Sequence, residues 1–433
     1  MLKSEIVSVK GMQVFTWRHH PGVEAVVTTR GGAQGRAVCT AGISTGTHEV
    51  KFSYDGGTRW DGMGVEGAAR AIEEILEPRL VGMDASDQYA VDQAMLSLDR
   101  DKRERAGGNS IAAVSAAVLK AGAKSLGIPL YQHIGGINAM YLPVPGVPAA
   151  AGHERYGGCV TTPDTKPTYS FMCHDFSSFA EASYAGWEVQ KLWEEAMTKR
   201  GIYPPDYYGL FSIPKGHFDS DEELWELMAD TIRRAGYEGR IGIQMDVASD
   251  CYYDKADQRY KGIFDPRPKT KEEMLKLYVR AVRDYPFVII EDPFFEDDYE
   301  SHAELVRQVD IQIVGDDLFT TNPKRLAHGA AMGAANAVLL KVNQVGTISE
   351  TMEMVQLAYR NGYGVMPCES RGEGEAIADY CVGINACAVR EMAVGIVANR
   401  FLEIEKELGS KARFTGTKGL RGRRFSPRNH DVS

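Results

Sequence analysis

At 433 residues, with 44% hydrophobic and 25% charged side chains, the chain has an ordinary globular composition and room for two domains, or for one barrel and a smaller companion. A formal net charge of −10, with no long basic run before the last residues, argues against nucleic acid or an anionic membrane as the main partner and suits small substrates accompanied by cations. Seven scattered cysteines without a CxxC pair, a start (Met1 to Val7) without an apolar run, and no segment of membrane-spanning length predict a reduced, cytoplasmic protein.

Residues 5 to 40 alternate apolar and polar positions, as in Val23-Glu24-Ala25-Val26-Val27, and break at Gly31-Gly32, which predicts an antiparallel sheet. The small residues from Ala41 to Glu49 could bring backbone amides and the Ser44 hydroxyl to an anion, or close as a lid. Taken locally, that stretch fits a plain surface turn better. Helical periodicity follows at 65–76, 90–98 and 111–126. The proline-rich stretch from Tyr141 to Pro148 cannot be helical, so an N-terminal α+β domain is expected over 1–140 and a second domain over 141–433.

The second domain holds a helix from Phe179 to Thr198, then alternates. Helices are expected at 222–235, 271–284, 302–309, 323–332 and 348–360, with short β-branched runs between them, the cadence of a β/α barrel. Four of those runs end in chemistry: Ile241 to Met245 before Asp246, Phe287 to Ile290 before Glu291, Ile311 to Gly315 before Asp316, and Ala337 to Leu340 before Lys341. In a barrel the strand ends converge on one face, which would bring three carboxylates and a lysine together. The basic segment 418–428 is expected to be a surface tail.

Several stretches carry a resemblance. They include Gly42-Ile43-Ser44-Thr45-Gly46-Thr47-His48-Glu49, Asp246-Val247-Ala248-Ser249, Glu291-Asp292-Pro293-Phe294, Val314-Gly315-Asp316-Asp317 and Leu339-Leu340-Lys341-Val342-Asn343-Gln344. In this order and spacing the chain resembles the enolase family over nearly its whole length. The resemblance implies an α/β fold, a TIM-like C-terminal barrel with an irregular first part and an N-terminal capping domain, and usually a homodimer. It implies Mg2+ held by Asp246, Glu291 and Asp316, with Lys341 as the base and Ser44 near the phosphate. Hard oxygen donors, with no His or Cys set competing, agree with magnesium. Taken singly, each acid could equally be a helix cap, and Lys341 a partner of one of them.

Other positions depart from the family. Its two glutamates on the proton-donating side align with Phe211 and Ser170, so both carboxylates are missing. Its His-Arg-Ser reads here as Glu369-Ser370-Arg371, and its last lysine aligns with Arg390. Ser370, Arg371 and Arg390 would bind the anionic ends of a substrate, although Arg390 cannot act as a base. His153 matches the family's loop histidine or is an exposed loop residue. Glu369, at a strand end, could supply the missing proton.

The expectation is an enolase-type carbon-oxygen lyase acting on a small carboxylate or phospho-acid, in which Lys341 removes the proton next to the carboxylate. An enediolate then undergoes β-elimination, on a substrate or with an acid that differs from the family norm. The alternatives are ordinary phosphopyruvate hydratase, a racemase or isomerase sharing the first half-reaction, and a non-catalytic scaffold of the same fold.

Overall fold

The computed structural model describes residues 2–16, 19–42, 45–98, 105–152, 156, 166–203 and 209–425. The N-terminal part opens with an antiparallel sheet of β1 (Ile6–Phe15), β2 (Pro21–Thr29) and β3 (Gln34–Cys39), in that spatial order. Alternation along β2 buries Val23, Ala25 and Val27 on one face. That face packs on the alanine-rich helix Gly108–Leu126. The approach is close enough that a Cβ on Gly35 would lie 1.9 Å from the Ala117 carbonyl oxygen, so only glycine fits there. The helix expected at 65–76 runs on to Leu80 through one wider turn at Ile72–Leu76.

The second part is a nine-stranded sheet. Its strands are β4 (Val144–Gly152), β5 (Thr168–Cys173), β6 (Phe211–Ile213), β7 (Ile241–Asp246), β8 (Phe287–Glu291), β9 (Gln312–Gly315), β10 (Ala337–Leu340), β11 (Gly364–Pro367) and β12 (Ala388–Val389). The order is β11-β10-β9-β8-β7-β5-β4-β12, with β6 pairing β4. The two ends of that order meet. Cys368 bridges Arg390, and the Cys387 N–H donates to the Val365 carbonyl at 3.0 Å. Pairing is parallel from β7 to β11, whereas β5 runs antiparallel to both β4 and β7. The start of β5 therefore shares a rim with the ends of the others, and Thr168 lies opposite Asp246 in the ladder.

Local chemistry sets the helices between strands. Lys271–Asp284 begins with a capping box formed by Thr270 and Glu273. Pro323–Met332 starts after the Asn322 cap, carries proline in its first turn and stops at Gly333 in the left-handed region. Two apolar cores result, one within residues 6–121 and a larger one within 119–425. No single helix among the described residues is long and apolar enough to cross a membrane.

The end of the chain differs from the surface tail expected for 418–428. Leu420 and Phe425 are buried, Arg424 Nη1 donates to the Phe287 carbonyl at 2.7 Å, and Arg423 Nη2 donates to the Val309 carbonyl at 3.1 Å. Arg423 and Arg424 thus cap backbone carbonyls near the starts of β8 and β9, on the side away from the acids.

Candidate active site

Asp246 and Glu291 are the last residues of β7 and β8, Asp316 follows β9 and Lys341 follows β10, all on one rim and all buried. Each acid is met by a cation or an amide. Lys341 Nζ lies 2.5 Å from Asp316 Oδ2, and Gln344 Nε2 donates to Asp316 Oδ1 at 2.8 Å. Arg390 Nη1 stands 2.7 Å from Asp246 Oδ2 and 3.3 Å from Glu291 Oε1. Lys166 Nζ also donates to Asp246 Oδ2, and Gln244 Nε2 donates to Glu291 Oε2 at 3.1 Å.

Burial pushes the Asp246 carboxyl up, but Lys166 and Arg390 outweigh it and hold the group below the usual carboxylate range. Glu291 goes the other way, to about 8, through burial and the neighbouring Asp246 charge. Burial disfavours the Lys341 ammonium, yet Asp316 and the other nearby acids leave its pKa above that of an ordinary lysine. Asp316 is itself positioned from behind, because the Asp292 carboxylate accepts the N–H groups of Asp316 (2.9 Å) and Asp317 (2.7 Å).

These acids suit a divalent cation. Three buried carboxylates share one rim, and a hard, oxygen-seeking ion such as Mg2+ would offset the burial and the Asp246 charge that together raise Glu291. The expected trio nevertheless stands apart. Among the described residues, the groups whose ligand atoms come within 4.8 Å of one another are Asp292, Asp316 and Asp317, and His48, Glu296 and Asp297. Asp246, Glu291 and Asp316 are instead drawn toward Arg390, Lys166 and Lys341.

The remaining predicted residues divide. Arg390 is inside the site. Glu369, two residues beyond β11, is buried and accepts the Gly374 N–H at 3.2 Å. The Ser370 N–H donates to Glu373 Oε2 at 3.3 Å. Arg371, expected at a substrate phosphate, is buried and grips Glu49 with both terminal nitrogens, at 2.5 and 2.6 Å. Ser44 and His153 lie outside the described residues. Phe211, which the resemblance aligns with a missing acid, is buried in the barrel's apolar core. Sequence reasoning passed over Lys166, Thr168 and Glu49; the first two come into view only once β5 is known to run backwards.

The Arg371–Glu49 pair ties the loop before residue 50 to the end of β11. Glu49→Ala would leave a guanidinium buried without its bidentate partner, and the expected cost is about 3–5 kcal/mol in chemical denaturation. A loss below about 1 kcal/mol, the range of exposed pairs, would show that another group takes over from Glu49.

Residues 6–134 match the family model described as the enolase N-terminal domain, and residues 140–422 match that of the enolase C-terminal TIM barrel domain. Among curated relatives, the chain is 38% identical over 426 residues to the enolase of Methanopyrus kandleri, covering 94% of this chain and 97% of that one. It is 37% identical over 417 residues to the enolase of Methanocaldococcus jannaschii, covering 94% and 96%. It is 38% identical over 426 residues to the enolase of Bifidobacterium animalis subsp. lactis, covering 95% and 97%. With both family models matched in order and this identity sustained along the chain, the protein belongs to the enolase family of carbon-oxygen lyases.

Proposed function

We propose that this lyase interconverts 2-phosphoglycerate and phosphoenolpyruvate, the phosphopyruvate hydratase reaction. The preference in the sequence for a different substrate yields here to its alternative, because relatives named enolase match over more than nine-tenths of the chain. The observation that carries the reading is the amine of Lys341 beside Asp316, on the same rim as Asp246 and Glu291. Lys341 takes the proton next to the substrate carboxylate. Arg390, charged at any working pH, faces an anionic end of the substrate. Mg2+ would be held by Asp246, Glu291 and Asp316, and when bound it offsets the charge that builds on the substrate carboxylate.

Arg371 contributes a fixed positive field rather than a free phosphate fork while Glu49 holds it. Ser44 and Ser370 belong to this reading as substrate contacts, and His153 and Glu369 as titratable groups on the catalytic side. So do a cap over 1–140, a barrel unit over 141–433, a homodimer and a cytoplasmic setting. The two separate apolar cores support the division.

The test is the unmodified protein with Mg2+ and 2-phosphoglycerate, followed by the ultraviolet absorbance of the enol phosphate. Turnover of roughly 1–1000 per second is expected. Exchange of the α-proton with solvent but no enol product would point to an enzyme with another leaving group.

A further inference from the structure

Taking a proton from carbon is half of a dehydration. Hydroxide leaves poorly, so a group across the substrate from the base has to protonate the departing oxygen. In this barrel β5 stands four steps from β10, the strand of Lys341, whichever way the order is followed. Along β5 alternate side chains share a face. Thr168 reaches Asp246 at 3.4 Å, Ser170 follows it two residues on, and neither hydroxyl is an acid. Phe211 offers no proton either.

A carboxylate nevertheless stands on that wall, reaching in from the segment after β12. Glu391 Oε1 accepts the Ser170 hydroxyl at 2.9 Å. The same oxygen lies 3.6 Å from Arg390 Nε, and Nη1 of that guanidinium touches Asp246 and Glu291. Glu391 is thus one guanidinium away from the acids of the site, with a side chain only 10% exposed. Its backbone has φ +60°, a region that non-glycine residues rarely occupy and that persists where the surroundings enforce it. The Ala393 N–H, bonded to the Gly146 carbonyl at 2.8 Å, pins the segment to β4.

We propose that Glu391 is the general acid of the dehydration, oriented by Ser170, a role that rests on the hydratase reading above. As the carbon-oxygen bond breaks, its electron pair stays with the hydroxyl oxygen, which takes the proton of the Glu391 carboxyl and leaves as water. Lys341 holds the proton from carbon, and the carbanion pair becomes the new carbon-carbon double bond. In the hydration direction the Glu391 carboxylate takes a proton from the incoming water.

The experiment compares α-proton exchange in deuterated water with product formation, using 2-phosphoglycerate and Mg2+. Glu391→Gln is expected to lower product formation by roughly 10²–10⁴-fold while exchange continues near the wild-type rate. Adding Ser170→Glu to that variant returns a carboxylate from β5 and is expected to recover part of the lost product formation. Glu391→Gly suits the left-handed backbone and is expected to keep the thermal midpoint while losing elimination, which separates the role from a folding defect. Product formation unaffected in Glu391→Gln, or exchange and product falling equally, overturns the proposal. So does a selective loss of product in Glu369→Gln instead. Wild-type protein that neither exchanges nor dehydrates the substrate overturns the hydratase reading and this role together, whereas wild-type turnover with an indifferent Glu391→Gln overturns this role alone.

Discussion

Lys341→Ala is expected to reduce α-proton exchange by roughly 10²–10⁴-fold, because no other amine among the described residues stands both beside Asp316 and at the end of β10. The nearest alternative, Lys166, is on β5's side of the ring and engaged with Asp246. The side chain does two jobs, and the variant separates them. It is the base, and it neutralises a buried acid. Removing it strands Asp316 next to Asp317 and Glu291, so the metal-free variant should also be destabilised by about 3–5 kcal/mol. Added Mg2+ should restore much of that stability without restoring exchange, since the ion can replace the charge but not the proton acceptor. Thermal midpoints with and without Mg2+, measured alongside exchange, check both parts. Exchange that survives in Lys341→Ala would take the lysine out of the chemistry.

This double role explains a tension in the site. A base has to be neutral, yet Asp316 favours the ammonium of Lys341. Once the Asp316 charge is engaged elsewhere, the amine loses the partner that holds its proton. The acid expected to hold the cation is therefore the same group that sets the readiness of the base.

How far these features could be read from the sequence depended on where each residue gets its neighbours. Asp246, Glu291 and Lys341 were legible because each ends a β-branched run whose direction is set by parallel pairing. The helix Lys271–Asp284 was legible to the residue, since its capping box is local chemistry. β5 was not, because Thr168-Tyr169-Ser170-Phe171-Met172-Cys173 has no β-branched run, and its reversal is fixed only by pairing with β4 and β7. Lys166 inherits that opacity, whereas Ser170 came into view through the resemblance alone. Glu391 was hidden for a related reason, as it follows a two-residue strand and finds Ser170 across 221 positions of sequence. Arg371 was read as a substrate contact, whereas its partner in the structure, Glu49, lies in the other half of the chain. The buried end at Leu420 and Phe425 likewise needs the underside of the barrel to exist first.

Lys166→Met is expected to tighten Mg2+ binding by about tenfold or more, a gain of roughly 1.4 kcal/mol. Asp246 is contacted by two cations, Lys166 and Arg390, and both belong to the protein. A unit charge about 4 Å from another contributes on the order of 4 kcal/mol at the effective dielectric of a site near a protein surface, and a divalent ion feels twice the repulsion. Part of that is relieved when the lysine swings away, which is why the net expectation is smaller than the Coulomb figure. Methionine keeps the apolar stem in a position that is only 8% exposed, so packing should be little disturbed. Titration of metal-stripped protein with Mg2+ by calorimetry reads the effect directly and needs no substrate. Unchanged or weaker binding would mean that Lys166 does not oppose the ion, leaving Arg390 as the competitor for Asp246. The matching change on the other side, Arg390→Met, should also free Asp246 and Glu291 for the ion, but at the cost of the cation that faces the substrate. Tighter Mg2+ binding in both variants, with substrate affinity lost only in the second, would assign Lys166 to the metal balance and Arg390 to the substrate.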